Sequence, residues 1–275
     1  MINEYYVKAP STYFYETPDK VSAVTDQLLY GTSLVSIEDS VVKSQENEFL
    51  YCETSYGYRG FVKSDCIERR TGKNTLEEYI VVSNFCDVLE VPEYKYKPVM
   101  TLPKGSIVHR KPDSFELSCG FCDVVIGTKV YYVRSEQIKS TQEAYKRCDE
   151  ITQRRMIVDN ALSYVGTPYR WGGKTPSGID CSGLCFMAFA LCGIRIYRDA
   201  VPDAQYVKTV GFDKLKQADL VYYKGHVVMY IGDKEYVHSS ATLGGVTVSS
   251  FDENSPVYYK KLSEGILCCA RSVEF

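Results

Sequence analysis

The period of this sequence changes part-way along the chain. Up to about residue 140, apolar residues come in short alternating runs divided by turn signals. From about residue 150 they recur first at helical spacing and only later return to strand spacing. Helices followed by strands in one stretch predict an α+β layer, and a region without helical period predicts an all-β one. The decisive helix follows Cys181: Leu184, Met187, Ala188 and Leu191 stand at i, i+3, i+4 and i+7, and Gly193 falls where a left-handed C′ residue ends a helix. Tyr169-Arg170-Trp171-Gly172-Gly173 forms a Gly-rich loop upstream, so Cys181 lies in the first turn of a buried helix. A thiol there meets unpaired N–H groups and the positive end of the macrodipole, which favour thiolate.

Residues 1–70 read as a small all-β unit, a partly closed barrel. Ser33 to Glu38 alternates with period two, Phe49 to Glu53 more loosely, and Tyr56-Gly57-Tyr58-Arg59-Gly60-Phe61-Val62 is a tight turn returning into a strand. Leu28-Leu29-Tyr30-Gly31-Thr32 and Tyr58 to Val62 resemble a bacterial SH3 (SH3b) domain. A polar linker with a short helical turn is expected over 71–79. Over 79–139 the pattern returns: Thr101 to Val108 echoes Leu28 to Val35, and Gly127 to Val133 echoes Tyr58 to Val62, the mark of a second, divergent copy. A charged linker over 140–150 leads into the third domain, 150–275. There Ile157, Ala161, Leu162 and Val165 predict a helix ending at Gly166. Strands follow at Asp219–Tyr223, Val227–Ile231, Lys234–His238 and Cys268–Val273.

Composition excludes several classes. A net charge of −3 leaves no footprint for nucleic acid or an anionic membrane, and no run of 18 apolar residues spans a bilayer. Eleven cysteines, an odd number scattered through apolar segments, read as core filling in a reducing environment rather than a disulfide framework. Met1 to Tyr6 has neither the basic flank nor the apolar core of a signal peptide. With Met1 as native start the expectation is the cytoplasm; otherwise it is secretion or the cell wall. Cys119-Gly120-Phe121-Cys122 is a lone CxxC and reads as a loop or strand end. Lys174-Thr175 suggests a phosphate loop, but its first glycine would fall at Pro168. Nothing in the residues specifies an oligomeric state.

The chain has three histidines. His109 reads as structural. His226 and His238 bracket a hairpin with its turn at Gly232-Asp233. If paired residues sum to 464, the two histidines face each other directly on one sheet face. A helix-start cysteine with two paired histidines supplies nucleophile, base and orienter. Cys181 would attack a carbonyl carbon, His226 would take and return the proton, and His238 would fix the ring of His226. Helix N–H groups and the Tyr169 hydroxyl would meet the oxyanion. The same three side chains could hold zinc, but the aspartate beside a helix-start thiol fits nucleophilic attack better. No metal or cofactor is expected.

Tyr169-x-Trp171-Gly172-Gly173, Asp180-Cys181-Ser182-Gly183, Ala218-Asp219-Leu220-Val221 and His226 to Gly232 together resemble the NlpC/P60 family of papain-like cysteine peptidases. With two SH3b domains ahead, the chain is similar to the γ-D-glutamyl-L-diamino acid endopeptidases. The resemblance implies two SH3-like β-barrels followed by a papain-like α+β domain, acting on peptidoglycan stem peptides through a thioester. It implies Cys181 as nucleophile, His226 as base, His238 as third polar residue and Tyr169 near the oxyanion. Asp180 and Ser182 match receptors of a free N-terminal L-alanine amine, and Trp171 an aromatic beside the cleft. It also implies that the first SH3b domain closes one end of the cleft, with Tyr56 and Tyr58 as candidate wall residues, although exposed turn tyrosines need no function. Ala218 departs from the glycine usual at its position. Amidase or acyltransferase chemistry on the same fold, an inert wall-binding protein and an SH3-type adaptor are the alternatives.

Overall fold

Alternation sets the N-terminal strands: Ser11–Tyr15 buries Thr12 and Phe14, and Arg59–Lys63 buries Gly60 and Val62. In the computed structural model all residues are described except 1–2, 38–41, 45–46, 72–74, 113, 115–116 and 118. The chain divides into two units, Met1–Ala144 and Tyr145–Phe275.

Strands dominate the first unit. An eight-stranded antiparallel sheet runs from Val24–Leu29 through Ser11–Tyr15, Arg59–Lys63, Asn47–Thr54, Ser33–Ser36 and Glu4–Val7 to Ile67–Arg69, with Val42–Ser44 beside Asn47–Thr54. Its end strands do not pair, so among the described residues no closed barrel forms. Five further strands form a second sheet and two a ribbon. Each region has its own core, one around Phe14, Leu28, Leu50 and Val62, the other around Val81, Leu102, Val124 and Val133. Gly31 and Gly105 turn the chain at φ 80 and 90, and a 3₁₀ turn then a short strand closes each region, at Ser64–Arg69 and at Ser135–Ser140.

Local expectations shift here. The strand expected to reach Glu38 ends at Ser36, and Glu38 lies outside the described residues. Of the linker expected over 71–79, residues 72–74 lie outside them too, and a strand already begins at Glu77. The Tyr56 hydroxyl donates to Asp26 at 2.5 Å, and Tyr58 packs on the first core.

In the second unit, helix α1 (Glu150–Leu162) is capped by Asp149, whose carboxylate accepts from the Thr152 N–H. Helix α2 (Cys181–Ala190) buries every residue from Cys181 to Phe189, the signature of a helix apolar all round. Gly193 is left-handed, φ 68, one position beyond C′. Six antiparallel strands follow: β1 (Val207–Val210), β2 (Leu220–Tyr223), β3 (His226–Gly232), β4 (Glu235–Ser240), β5 (Gly245–Ser250) and β6 (Cys268–Ser272), in the order β1-β6-β2-β3-β4-β5. Strands β1 and β5 escape the sequence reading, as does a small ladder pairing Lys174–Thr175 with Gly178–Ile179.

The β3–β4 hairpin corrects the expected register. Asp233 and Lys234, left-handed at φ 50 and 59, make the turn, and a bulge beside Gly232 pairs Met229 with Val237 and Tyr230 with Tyr236. Partners therefore sum to 466 over these pairs (229 + 237, 230 + 236), not 464. His226 and His238 are diagonal neighbours rather than direct partners. A shift of two preserves the face, so their rings still meet.

Candidate active site

The cysteine loop is built on close approach of backbone. A Cβ on Gly183 would stand 2.2 Å from the Gly173 carbonyl oxygen, and one on Gly173 would stand 2.4 Å from that of Gly178. Asp180 is the N-cap of α2. Its carboxylate accepts from the Gly183 N–H at 2.6 Å, the Gly172 N–H at 2.8 Å and the Ser182 hydroxyl at 3.3 Å. Arg198 completes the cluster: its two terminal nitrogens donate to the two Asp180 oxygens at 3.2 and 3.1 Å, to Ser182 Oγ at 2.8 Å and to the Gly172 carbonyl at 3.0 Å. Sequence reading missed Arg198, which stands in no periodic pattern. Its side chain is 1% exposed.

Cys181 is the first residue of α2, and the N–H groups of Ser182 and of Val227, the residue after His226, act on its thiol electrostatically. The helix start and the start of β3 pack against each other here. A two-residue turn, Lys224-Gly225, with Gly225 at φ 70, puts His226 at the first position of that strand opposite Tyr223. His226 Nε2 lies 3.0 Å from His238 Nδ1, and His238 Nε2 lies 3.3 Å from Ser249 Oγ. Ser249 is a further member that the sequence did not reveal. On the opposite side of β4, the Ser239 hydroxyl donates to the Ile179 carbonyl at 2.7 Å and ties the hairpin to the cysteine loop.

The electrostatics run against one expectation. A helix-start thiol should ionise easily, yet burial first and the Asp180 charge second push the Cys181 thiol up. The N–H groups of Val227 and Ser182 and the Arg198 cation oppose this without prevailing. Burial, then the Lys261 cation, pushes His226 down to about 4. Burial, then His226, pushes His238 down to about 3. Near neutral pH the cysteine rests as a thiol and both imidazoles are neutral. Tyr169, half-buried, is pushed up to about 12 by burial and then by Cys181 and Asp180, and so keeps its proton. Trp171 is 67% exposed.

The sequence profile of the NlpC/P60 family matches residues 166–264. Dipeptidyl-peptidase 6 of Lysinibacillus sphaericus is 35% identical over 258 residues, 92% of this chain and 93% of that protein. The chain belongs to the NlpC/P60 family. Murein DD-endopeptidase MepS/murein LD-carboxypeptidase of Escherichia coli K12 is 29% identical over 152 residues, 53% of this chain and 79% of that protein. An NlpC/P60 family protein from Bacillus cereus ATCC 10987, known by crystal structure, shares the fold with a TM-score of 0.75 over 98% of this chain and 99% of that one, at 17% identity.

Cys181, His226, His238, Tyr169, Asp180, Ser182 and Trp171 all lie inside the NlpC/P60 match. Ala218 is left-handed at φ 65 and 1% exposed, a conformation that a Cβ strains and glycine adopts freely. The neighbouring Asp219, fully buried, is held by Arg154 at 2.9 Å and by Arg271 at 2.7 Å, and this cluster braces α1, β2 and β6 away from the cysteine.

Proposed function

We propose that this NlpC/P60 protein is a cysteine endopeptidase that hydrolyses the γ-D-glutamyl-L-diamino acid bond of peptidoglycan stem peptides, through a thioester on Cys181. One observation carries the reading: a thiol at the first residue of a buried helix that packs on the strand begun by His226, whose Nε2 lies 3.0 Å from His238 Nδ1. The names of the relatives support the substrate. One is a murein endopeptidase. The relative matching 92% of this chain is called a dipeptidyl-peptidase, and L-Ala-γ-D-Glu is a dipeptide bearing a free amine.

The chemistry follows from the bonds. For His226 Nδ1 to accept a proton, Nε2 must carry one and donate it to His238 Nδ1. His238 then carries its proton on Nε2 and donates to Ser249. As the Cys181 sulfur attacks the scissile carbonyl carbon, its proton passes to His226. Proton transfer accompanies attack because thiol and imidazole are both neutral beforehand. Gly183 N–H is taken by the cap and Leu184 N–H by the Asp180 carbonyl. The N–H of Cys181 therefore remains in the first turn for the oxyanion, with the protonated Tyr169 hydroxyl. Collapse expels the amine, which takes the proton from His226. Water then attacks the thioester by the same route and frees the thiol.

Asp180 and Ser182 are the proposed receptors of a free L-alanine amine. Because Arg198 already compensates this carboxylate, the preference is expected as a ratio of rates, roughly tenfold, rather than an absolute requirement. Residues 1–70 and 79–139 are proposed as two SH3b domains, a reading supported by the repeated order of turn, strand, 3₁₀ turn and strand.

Mass spectrometry of L-Ala-γ-D-Glu-diamino acid peptides, with and without an N-acetyl group, tests the proposal. The expected products are the dipeptide and the free diamino acid, formed faster from the free amine and absent with Cys181→Ala, a loss of at least roughly 10⁴-fold. No cleavage of either peptide, or cleavage retained by the variant, overturns it.

A further inference from the structure

His238 is fully buried, and both of its ring nitrogens are engaged: Nδ1 lies 3.0 Å from His226 Nε2, and Nε2 lies 3.3 Å from Ser249 Oγ. The β4–β5 register pairs His238 with Thr247 and Tyr236 with Ser249, so Ser249 is the diagonal neighbour of His238 on the same sheet face. Thr247, the direct partner, turns its own hydroxyl to the Val248 carbonyl at 3.3 Å. The rings of Tyr236 and Tyr259 flank His238 at centroid distances of 5.2 and 6.2 Å. Ser249 is itself buried, and among the described residues its Oγ is the hydrogen-bonding atom that meets His238 Nε2.

Two neutral imidazoles joined in this way have two proton orders. In the first, His226 donates from Nε2 to His238 Nδ1, His238 donates from Nε2 to Ser249, and His226 Nδ1 is bare. In the second, each ring carries its proton on Nδ1, and Ser249 donates to His238 Nε2. Only the first order can take the thiol proton. The two differ in what they demand at each end of the chain. At the cleft end His226 is partly exposed, so water serves its Nδ1 as donor or as acceptor. At the buried end only the hydroxyl of Ser249 is at hand, and a hydroxyl can accept or donate, so it satisfies both orders. Without it, the first order strands an N–H in the core, whereas the second strands only a lone pair. A buried orphan donor is tolerated less than a buried orphan acceptor, so removing the hydroxyl selects the second, inactive order.

Resting on the endopeptidase reading above, we propose that Ser249 is a positioning residue of the reaction: it accepts the Nε2 proton of His238 and so keeps His226 in the tautomer whose Nδ1 is bare. It acts on the thiol only through the two rings. A carboxylate in its place would hold the same order by drawing positive charge onto the imidazoles, whereas a hydroxyl holds it with both rings neutral.

Heteronuclear NMR of the full chain with isotope-labelled histidine rings, near neutral pH, shows which nitrogen of each ring bears the proton. With three histidines in the chain, single substitutions assign the rings. The wild-type protein is expected to carry the proton of both His226 and His238 on Nε2. Ser249→Ala should move both protons to Nδ1 and lower kcat on L-Ala-γ-D-Glu-diamino acid tripeptides about ten- to a hundredfold, with KM little changed. Ser249→Thr, which keeps the hydroxyl, should restore both the tautomer and the rate. A wild-type His226 protonated on Nδ1 overturns the assignment whether or not any variant folds. So does an unchanged kcat in Ser249→Ala, or a lower rate with unmoved tautomers, which is what a merely structural serine would give. The spectra need no substrate, so failure to cleave stem peptides overturns the endopeptidase reading while the tautomer assignment stands or falls on the spectra.

Discussion

The two units handle buried charge differently. In the strand-rich unit, Asp26 is buried and accepts from the Tyr56 hydroxyl, and the ion pair of Arg110 keeps a partly exposed carboxylate, Arg110 meeting the Asp123 carbonyl at 3.0 Å and its carboxylate at 3.5 Å. In the unit carrying the cysteine, Asp180 with Arg198 and Asp219 with Arg154 and Arg271 are sealed inside, each carboxylate meeting several donors. An apolar core tolerates partial repacking, whereas a sealed ion pair has no partial version: losing one partner strands the other in a medium that cannot solvate it. The second unit therefore carries its precision and its fragility in the same atoms.

The sharpest way to break this contrast is to remove one cation from each unit. Arg198→Met should cost about 3–5 kcal/mol by stranding Asp180, whereas Arg110→Met should cost about 1 kcal/mol. The chain has one tryptophan, Trp171, and 24 tyrosines. Tryptophan fluorescence in urea therefore follows the second unit, and circular dichroism follows both. Equal shifts for the two variants would erase the distinction.

Acid should sharpen the contrast next. The ordinary histidine value of 6.5 falls to about 4 for His226 and about 3 for His238 on folding. Between those values and 6.5 the unfolded chain binds more protons, so lowering pH through this window drains stability from the second unit. The urea midpoint read from Trp171 should fall as pH drops from 6.5 toward 4, and less steeply with His238→Gln. Activity, which needs His226 neutral, should persist to about pH 5 and be lost near pH 4. A midpoint flat over this range would mean that the histidines are not desolvated.

The smallest effect lies in the backbone. Ala218→Gly relieves the left-handed strain at φ 65 and should stabilise the second unit by about 1 kcal/mol. In the first unit Gly31→Ala should do the reverse and by more, since its Cβ would stand 2.3 Å from the Ile107 carbonyl oxygen. Differential denaturation of the two variants checks the sign.

Much of this was legible in the residues. The helix after Cys181 declared itself by spacing, and the histidine hairpin by its alternating strands. What escaped depends on terms that a local pattern does not carry. The register followed from a bulge and from two non-glycine residues in left-handed conformation at Asp233 and Lys234, where turn chemistry gives little warning. Arg198 and Ser249 act across gaps of 18 and 11 residues with no periodic cue. The thiol was misjudged because a helix start is visible in sequence, whereas the depth of its burial is not.

The Asp180 carboxylate gathers donors 3, 8 and 18 residues away. In polymer terms it is a knot of three loops closed on one residue. Lengthening a loop is cheap, about 0.6 kcal/mol per doubling, whereas moving a donor at the knot is not. Related chains are then free to vary the connection between α2 and Arg198 in length and composition while the crossing itself stays put. The Cys181 thiol inherits its position from that crossing and not from the strands and turns that lead to it.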